Sequence, residues 1–466
     1  MVVTQTRTAA GELAAFCTDL RWAELPGDVQ DRTRELLLDL LGVALGGTRQ
    51  PSSPPAAQVA LQLGGSKAGE GQASVFGTQH STSAVWAALA NGTAAHALEL
   101  DDVTTESSLH PGVAVIPGAF ALAEALGASP AAFLEAVVAG YEVTMRVGNA
   151  LNPASAYARG FHPTGVAGVF GATMAAGHLL GLDQQQLTNA LGIAGTLASG
   201  SLEYLSDGAW TKRLNPGWAG HAGITAAHLA RAGFSGPKTA LEGPLGLLHA
   251  YSDDPRPQRL LDELGKPLQV MRVSIKPYAC CRYNHGLIDC VLQLTHEHAI
   301  QPEDVESIRL GVLTGGAVLV ARPIEQKRQP RSIVDAQFSA PFAAAAALVH
   351  GTGGLDAYTQ ANLDDPRIQR LMARTDCYTD PSLDAPYPQV WPAEAEIVLG
   401  NGRRVKRRIE HATGEPENPV PRPDLVTKFC SLAEGVVREP QSLAERILNL
   451  DVNEADLRGL GVALRG

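Results

Sequence analysis

Apolar residues recur at the spacing of one helix face through the first half of the chain. Residues 27–46 carry six such side chains, and Gly46 and Gly47 end the run. The same pattern predicts helices over residues 81–100, where Ser and Thr suit an N-cap, and over 112–126, 129–147, 165–180 and 183–198. No fixed repeat period connects these runs, which favours a packed helical bundle over a solenoid.

The pattern changes near residue 267. Residues 268–276 and 307–315 are short and rich in β-branched residues, and residues 395–410 read as two strands joined by Asn401-Gly402, a hairpin signal. Helical runs at 285–299 and 336–350 lie between them, and residues 422–464 are helical again. We therefore predict a mainly α protein with a large all-helical domain (residues 1–267) and a smaller α+β domain (residues 268–421).

Composition narrows the class of protein. The 466 residues are 45% hydrophobic, enough for a sizeable core, and 37 basic against 48 acidic residues give a net charge of −11. Without a long basic run, such a chain is a poor partner for nucleic acid or an anionic membrane. We expect neither a signal peptide nor a membrane span. The six cysteines form no Cys-x-x-Cys pair, which fits a reducing cytoplasm and argues against zinc-ribbon and iron–sulfur sites.

The first of four segments that concentrate polar side chains is HALELDDVTTESSLHPG, residues 96–112. It supplies Glu99, Asp101, Asp102, Thr104 and His110. The acids can orient a histidine or act as bases, whereas a capping cluster at a helix end is the alternative.

The second and third segments each combine a cation or a histidine with a helix start. His162 precedes Pro163, which favours the first helical turn, and the positive end of that helix favours a neutral imidazole that can act as a base. The alternative is a capping or packing histidine. Lys212 and Arg213 stand before a Pro-Gly break and can hold substrate carboxylates. A solvated surface pair is the alternative for them.

The fourth segment, KPYACCRYNHGLIDC, covers residues 276–290 and holds Lys276, Arg282 and His285 beside two adjacent cysteines. Adjacent cysteines do not readily bind one metal ion, although Cys281 is a conceivable nucleophile. His296-Glu297-His298 offers metal ligands, but its histidines point to different helix faces, which favours a solvated surface. Dinucleotide, phosphate-loop, zinc-protease and nucleophile-elbow motifs are missing from the sequence. The residues alone therefore predict an acid–base enzyme acting on small anions.

In this order, the stretches NGTAAHALELDD with HPG, GFHPTGVAGVFGA, TKRLNPGWAGHAG and KPYACCRYNH resemble the MmgE/PrpD family. Its members include 2-methylcitrate dehydratase, cis-aconitate decarboxylase and iminodisuccinate epimerase. The resemblance extends over nearly the whole chain. It implies a helical domain to which residues 422–466 return, a smaller α+β lid domain, a homodimer, a small carboxylate substrate, and no need for a metal ion or organic cofactor.

The resemblance also implies the site residues. The expected catalytic residues are His110, His162, His285, Asp101 and Asp102. The expected substrate-binding residues are Lys212, Arg213, Arg282 and Glu99. In such a site, cations hold the carboxylates, one histidine (His162 or His285) removes a proton next to a carboxylate, and the others act as acid or ligand.

Three departures from the family pattern bear on the substrate. Val103-Thr104 stand where Thr-His often follows the two acids, Asn215 stands where a histidine is common, and no tyrosine shortly precedes Arg322-Pro323 as it does in the decarboxylase. These changes disfavour cis-aconitate decarboxylation, and the apolar Val103 and Leu319 point away from 2-methylcitrate itself toward a relative with a less polar part. The resemblance as a whole implies a cofactor-free dehydratase of a 2-methylcitrate-like di- or tricarboxylic acid. The alternatives are an isomerase or epimerase, a decarboxylase, a secondary-metabolism dehydratase of an alkyl-substituted diacid, and an inactive scaffold, which the complete histidine and lysine set argues against.

Overall fold

The computed structural model describes residues 7–65 and 72–466 and contains two compact units. The first unit comprises the described residues within 1–97, together with 101–273 and 421–466. The second comprises 98–100 and 274–420. Most of the described secondary structure is helical, which confirms the mainly α fold class.

The elements of the first unit are, in chain order, α1 (Ala9–Thr18), α2 (Gly27–Gly47), α3 (Ser53–Gly64), β1 (Gln72–Ser74), β2 (Ser81–Ser83), α4 (Ala84–Ala95), β3 (Val103–Thr104), α5 (Pro111–Leu126), α6 (Pro130–Leu151), α7 (Pro153–Ala158), α8 (Pro163–Leu179), α9 (Gln184–Leu197), α10 (Thr211–Arg231) and α11 (Leu247–Tyr251). A two-residue strand, β4 (Val273–Ser274), lies at the boundary of the units. The elements of the second unit are α12 (His285–His298), β5 (Val305–Gly311), α13 (Thr314–Val320), α14 (Ile324–Lys327), α15 (Ile333–Gln337), α16 (Ala340–His350), α17 (Gln360–Leu363), α18 (Pro366–Ala373), β6 (Thr375–Tyr378), α19 (Pro381–Asp384), β7 (Ala393–Leu399) and β8 (Arg404–Ile409). The chain then returns to the first unit with α20 (Arg422–Ala433), α21 (Pro440–Leu448), α22 (Leu450–Asn453) and α23 (Arg458–Leu464).

The helices α4, α5, α6, α8 and α10 pack together as the core of the first unit. Small residues let their backbones approach closely. A Cβ atom on Gly92 of α4 would lie 2.7 Å from the Cα of Gly217 on α10, so neither helix can carry a side chain there without moving. The predicted helix over residues 81–100 is too long at both ends, because residues 81–83 pair with β1 as a strand and the helix stops at Ala95.

The second unit is built on a four-stranded sheet in the order β6-β5-β7-β8. β5 runs parallel to β6 and antiparallel to β7, and β7 and β8 form the predicted hairpin, with Ile397 opposite Val405. Gly402 adopts φ +82° at its turn. α12 and α16 pack on each other, and α12 also packs on β7 and β8.

The prediction of a strand over residues 268–276 is wrong for most of that segment. Residues 269–272 form a 3₁₀ turn, and only Val273 and Ser274 are extended in a strand. Val270 and Val273 are buried without pairing in a long strand. Their burial therefore explains the apolar pattern, because β-propensity depends on context. The strand predicted over 307–315 ends at Gly311. Within the described ranges, none of the helices combines the length and apolar character needed to cross a membrane.

Candidate functional site

Two histidines stand immediately before two helices of the first unit. His110 precedes Pro111 of α5, and His162 precedes Pro163 of α8. Both histidines have extended backbones, as expected for a residue before proline, and neither side chain caps its helix. The backbone N–H of His110 donates to the hydroxyl of Thr164 (3.2 Å), which ties the two helix starts together.

A buried carboxylate joins His110 to a third histidine. Oδ2 of Asp101 lies 2.8 Å from Nδ1 of His96 and 2.9 Å from Nδ1 of His110. The His96 ring is edge-on to His110, with centroids 4.8 Å apart, and stacks near His162, with centroids 5.9 Å apart. Burial alone would raise the pKa of Asp101, but the interactions with His96 and His110 outweigh burial and hold that pKa well below its usual range. Asp101 is therefore an anion beside His110.

The contacts of His110 determine its tautomer. Its Nδ1 faces the Asp101 carboxylate and also the backbone carbonyl oxygen of Asp102, at 2.8 Å. Both partners only accept hydrogen bonds, so Nδ1 must carry the proton. In the neutral imidazole, Nε2 then carries the lone pair that a general base needs.

The side-chain carboxylate of Asp102 contacts Tyr141 and Gly112, whereas only its backbone carbonyl contacts His110. Its Oδ2 accepts from the Tyr141 hydroxyl (2.6 Å), and its Oδ1 accepts from the backbone N–H of Gly112 (3.0 Å). Burial raises the pKa of Asp102 to about 7, although both hydrogen bonds oppose the rise. The capping alternative is thus partly right for Asp102, which binds a donor in the first turn of α5, while Asp101 binds histidines.

His162 takes the opposite tautomer. The side-chain amide of Asn215 on α10 donates to Nδ1 of His162 (3.0 Å), so the imidazole keeps its proton on Nε2. Lys212 lies one helical turn before Asn215 and is buried. The first unit therefore presents a proton acceptor, a proton donor and a cation on connected elements.

The solvated alternative for Lys212 and Arg213 is wrong, because both side chains are buried. The guanidinium of Arg213 donates to the hydroxyl of Ser52 (3.0 Å), just before α3. Arg213 therefore contacts the α3 start, on a different side of α10 from Asn215.

The remaining predicted site residues belong to the second unit. Glu99, in the left-handed region at φ +55°, places its carboxylate 3.7 Å from Nζ of the buried Lys276, which also donates to the Glu99 carbonyl (3.0 Å). Arg282 is buried in an ion pair with Glu415, and burial lowers the pKa of Arg282 to about 10. The structure thus gives both predicted substrate ligands an internal partner of opposite charge.

His285 occupies the first position of α12. Its Nε2 donates to the carbonyl of Cys280 (3.4 Å), and its ring packs edge-on against Tyr278. Burial raises the pKa of the Cys280 thiol to about 12, so Cys280 is a packing residue rather than a thiolate.

Two groups of side chains within residues 7–65 and 72–466 bring enough ligand atoms together for a metal ion: His96, Asp101 and His110, and His411, Glu415 and Glu417. In the first group, both Nδ1 atoms face one carboxylate oxygen at hydrogen-bond distance, so we assign it as a hydrogen-bonded cluster. In the second group, Glu415 already pairs with Arg282.

Sequence reasoning missed His96 and the partner role of Asn215. His96 is the first residue of the first polar segment, but it was not named among the candidate residues of that segment, and it is fully buried. Its spacing of five residues from Asp101 carried no known signal. Asn215 appeared only as a departure from a family pattern, and its contact with His162 spans 53 positions of sequence.

Comparison with known proteins finds family models that match most of the chain. The model of the MmgE/PrpD N-terminal domain matches residues 11–260, and that of the MmgE/PrpD C-terminal domain matches residues 278–454. Curated relatives align over almost their full length. The cis-aconitate decarboxylase-like protein oryM of Aspergillus oryzae is 28% identical, covering 98% of this chain and 97% of the relative. The cis-aconitate decarboxylase of Aspergillus terreus is 26% identical (94% and 92%), and that of Homo sapiens is 27% identical (96% and 92%).

Proposed function

The chain belongs to the MmgE/PrpD family, and from that premise we propose that it is a cofactor-independent lyase of a small di- or tricarboxylic acid. The observation that carries this proposal is the pair of opposite tautomers, with a lone pair on Nε2 of His110 and a proton on Nε2 of His162. Acid–base catalysis of an elimination needs one group of each kind.

In the dehydration that we propose, Nε2 of His110 takes the proton from the carbon next to a carboxylate. The electrons of that C–H bond form the C=C bond, the C–O bond breaks, and the leaving hydroxide takes the Nε2 proton of His162 to depart as water. The Asp101 anion stabilises the imidazolium that forms at His110. The sequence favoured His162 or His285 as the base; the hydrogen bonds favour His110.

The substrate carboxylates need positive partners. Lys212 supplies a buried cation, and the N-termini of α5 and α8 present backbone N–H groups and the positive ends of their dipoles. His285 remains a proposed catalytic residue, with its Nε2 proton held by a carbonyl. Glu99, Arg213 and Arg282 become second choices as substrate ligands, since each has a partner of its own.

A second candidate reaction is decarboxylation of cis-aconitate, which is the activity in the names of the relatives. There the C–CO₂ bond breaks, CO₂ leaves, and the electron pair left on the substrate is protonated by His162. The same acid serves both reactions, whereas only dehydration needs His110 as a base. The apolar Val103 and the lack of a tyrosine shortly before Arg322-Pro323 count against decarboxylation.

The test is an NMR incubation of the purified protein in D₂O with 2-methylcitrate, citrate, cis-aconitate and alkylated 2- and 3-hydroxy diacids. An alkene from a hydroxy acid supports the dehydratase. Loss of CO₂ from cis-aconitate establishes the second candidate, and deuterium uptake without elimination establishes an isomerase. No reaction and no deuterium uptake with any of these acids would overturn the proposal. His162→Ala should abolish turnover, whereas His228→Ala, on the far end of α10, should not.

We also propose a homodimer that forms through one face of α10. Trp210 directly precedes α10, and Leu214 and Trp218 follow at intervals of four residues; the three side chains are 49%, 41% and 39% exposed. Large aromatic side chains on one exposed helix face are typical of protein interfaces. For location we propose the cytoplasm, because all six cysteines are free thiols.

A further inference from the structure

His96 lies at the centre of the proposed acid–base site without belonging to the set that the sequence singled out. Its side chain is fully buried, and its ring contacts both His110 and His162. A buried histidine between two candidate catalytic histidines calls for a physical role.

The hydrogen bonds define the state of His96. Nδ1 faces the Asp101 anion at 2.8 Å and therefore carries a proton. Nε2 is buried and has no hydrogen-bond partner in the part of the chain that the structure describes. The hydrogen bond of His96 to Asp101 is therefore its one side-chain hydrogen bond in the part of the chain that the structure describes.

Asp101 contacts His96 as well as His110. Its Oδ1 is buried without a partner among the described residues, and both imidazoles bind the same Oδ2. His96 thus supplies one of the donors that keep this carboxylate ionised and oriented toward His110.

We propose that His96 is a positioning residue, which shares the Asp101 carboxylate with His110 and thereby fixes the orientation and proton affinity of the base. The inference rests on the proposed function in taking His110 as the base. Other groups near this cluster are Asp39 of α2 with its partner Lys428 of α20, Asp102 with Tyr141 of α6, and His162 with Tyr204. The two imidazole contacts at Oδ2 of Asp101 come from His96 and His110.

The test compares two substitutions that separate the donor from the ring. In His96→Asn, the amide nitrogen takes the place of Nδ1 and can still donate to Asp101. In His96→Phe, the ring remains but the donor is lost. Without the second donor, the Asp101 charge acts on His110 alone, and the imidazole holds its proton more strongly.

For His96→Phe we expect the acid limb of the kcat/KM profile to move up by about one pH unit, the size of one hydrogen bond to a charged group. We expect kcat to fall more than KM changes. His96→Asn should keep the acid limb in place, and His228→Phe on α10 is the control. Equal shifts in His96→Asn and His96→Phe, or none in either, would overturn the proposal.

A second measurement does not need turnover. Histidine-selective ¹⁵N NMR reports the tautomer of each imidazole and the pH at which it takes up its proton. We expect His96 and His110 to carry the proton on Nδ1, and the titration of His110 to move to higher pH in His96→Phe. A proton on Nε2 of neutral His96 would refute the role of His96 even if the lyase reaction were confirmed. If the expected tautomers are found but no acid is turned over, the proposed lyase function is wrong and the structural role of His96 stands.

Discussion

The side-chain amide of Asn215 donates a hydrogen bond to Nδ1 of His162 across 3.0 Å. This contact decides which nitrogen of His162 carries the proton, and therefore whether His162 can act as an acid. Asn215 departs from the family pattern, and its hydrogen bond to His162 gives this departure a chemical role.

Replacing that amide by a carboxylate tests the acid role. In Asn215→Asp, the new side chain accepts rather than donates, so His162 moves its proton to Nδ1 and loses the Nε2 donor. We expect kcat to fall by about 10²–10⁴-fold, the usual contribution of a general acid, with little change in thermal stability. Asn189→Asp on α9 makes the same chemical change away from the site and should leave kcat intact. Unchanged kcat in Asn215→Asp would contradict the assignment of His162 as the acid.

Asp102 predicts a pH-dependent stability. Burial raises the pKa of Asp102 from 3.8 to about 7, so the folded chain keeps this proton in a range where the unfolded chain has lost it. Its contribution to the free energy of unfolding therefore decreases as the pH rises from about 4 to about 7, by up to about 4 kcal/mol.

Asp102→Asn should abolish that decrease. Urea unfolding of the native chain and of the variant between pH 4 and pH 8 measures the difference in slope. Asp262→Asn, at an exposed carboxylate, serves as the control. Parallel pH profiles of the native chain and Asp102→Asn would show that Asp102 ionises normally in the fold.

Gly112 is a test of the packing behind α5. A Cβ atom there would lie 2.5 Å from the Tyr141 hydroxyl and 2.7 Å from Oδ2 of Asp102. We expect Gly112→Ala to destabilise the fold by about 1–3 kcal/mol. We also expect kcat to fall about 10–100-fold, because Asp102 and the α5 start must move together with His110.

Gly27→Ala is the matched control, since nothing lies within 4 Å of a Cβ at the start of α2. It should be neutral or slightly stabilising. Thermal unfolding and steady-state kinetics measure both variants. Equal effects of the two substitutions would rule out the steric explanation.

The exposed face of α10 predicts an oligomeric state. A charge on this face, as in Leu214→Glu or Trp210→Glu, should halve the molar mass measured by light scattering, because a buried unpaired carboxylate opposes association. Leu245→Glu introduces the same charge at a side chain that is 93% exposed, and it should leave the mass unchanged. A monomeric native chain would refute the homodimer. A dimer in all three variants would show that the interface does not include this face of α10.

Helix α2 shows what periodicity can predict, because its apolar stripe and final glycines agree with the observed Gly27–Gly47. The hairpin at Asn401-Gly402 was equally readable, since this dipeptide suits its turn. Residues 268–276 failed because buried β-branched side chains look alike in a strand and in a 3₁₀ turn.

The sequence singled out His110 and His162 as candidates, but it did not predict the hydrogen bonds that these two side chains make. His110 and His162 could be recognised as residues that precede a helix because a proline follows each of them. The opposite tautomers depend on Asp101 and Asn215, and the second of these is brought to its histidine only by packing of α8 on α10. No local pattern encodes such a contact.

The close approach of Gly92 and Gly217 has a mechanical consequence. With backbones this near, α4 and α10 cannot slide or tilt past each other without a clash, so they move as one rigid plate. Lys212 and Asn215 belong to α10, and His96 directly follows the last residue of α4. Crystals grown at different temperatures should show these groups displaced together. Any movement of the chain that lets the substrate enter must therefore occur outside the contact between α4 and α10.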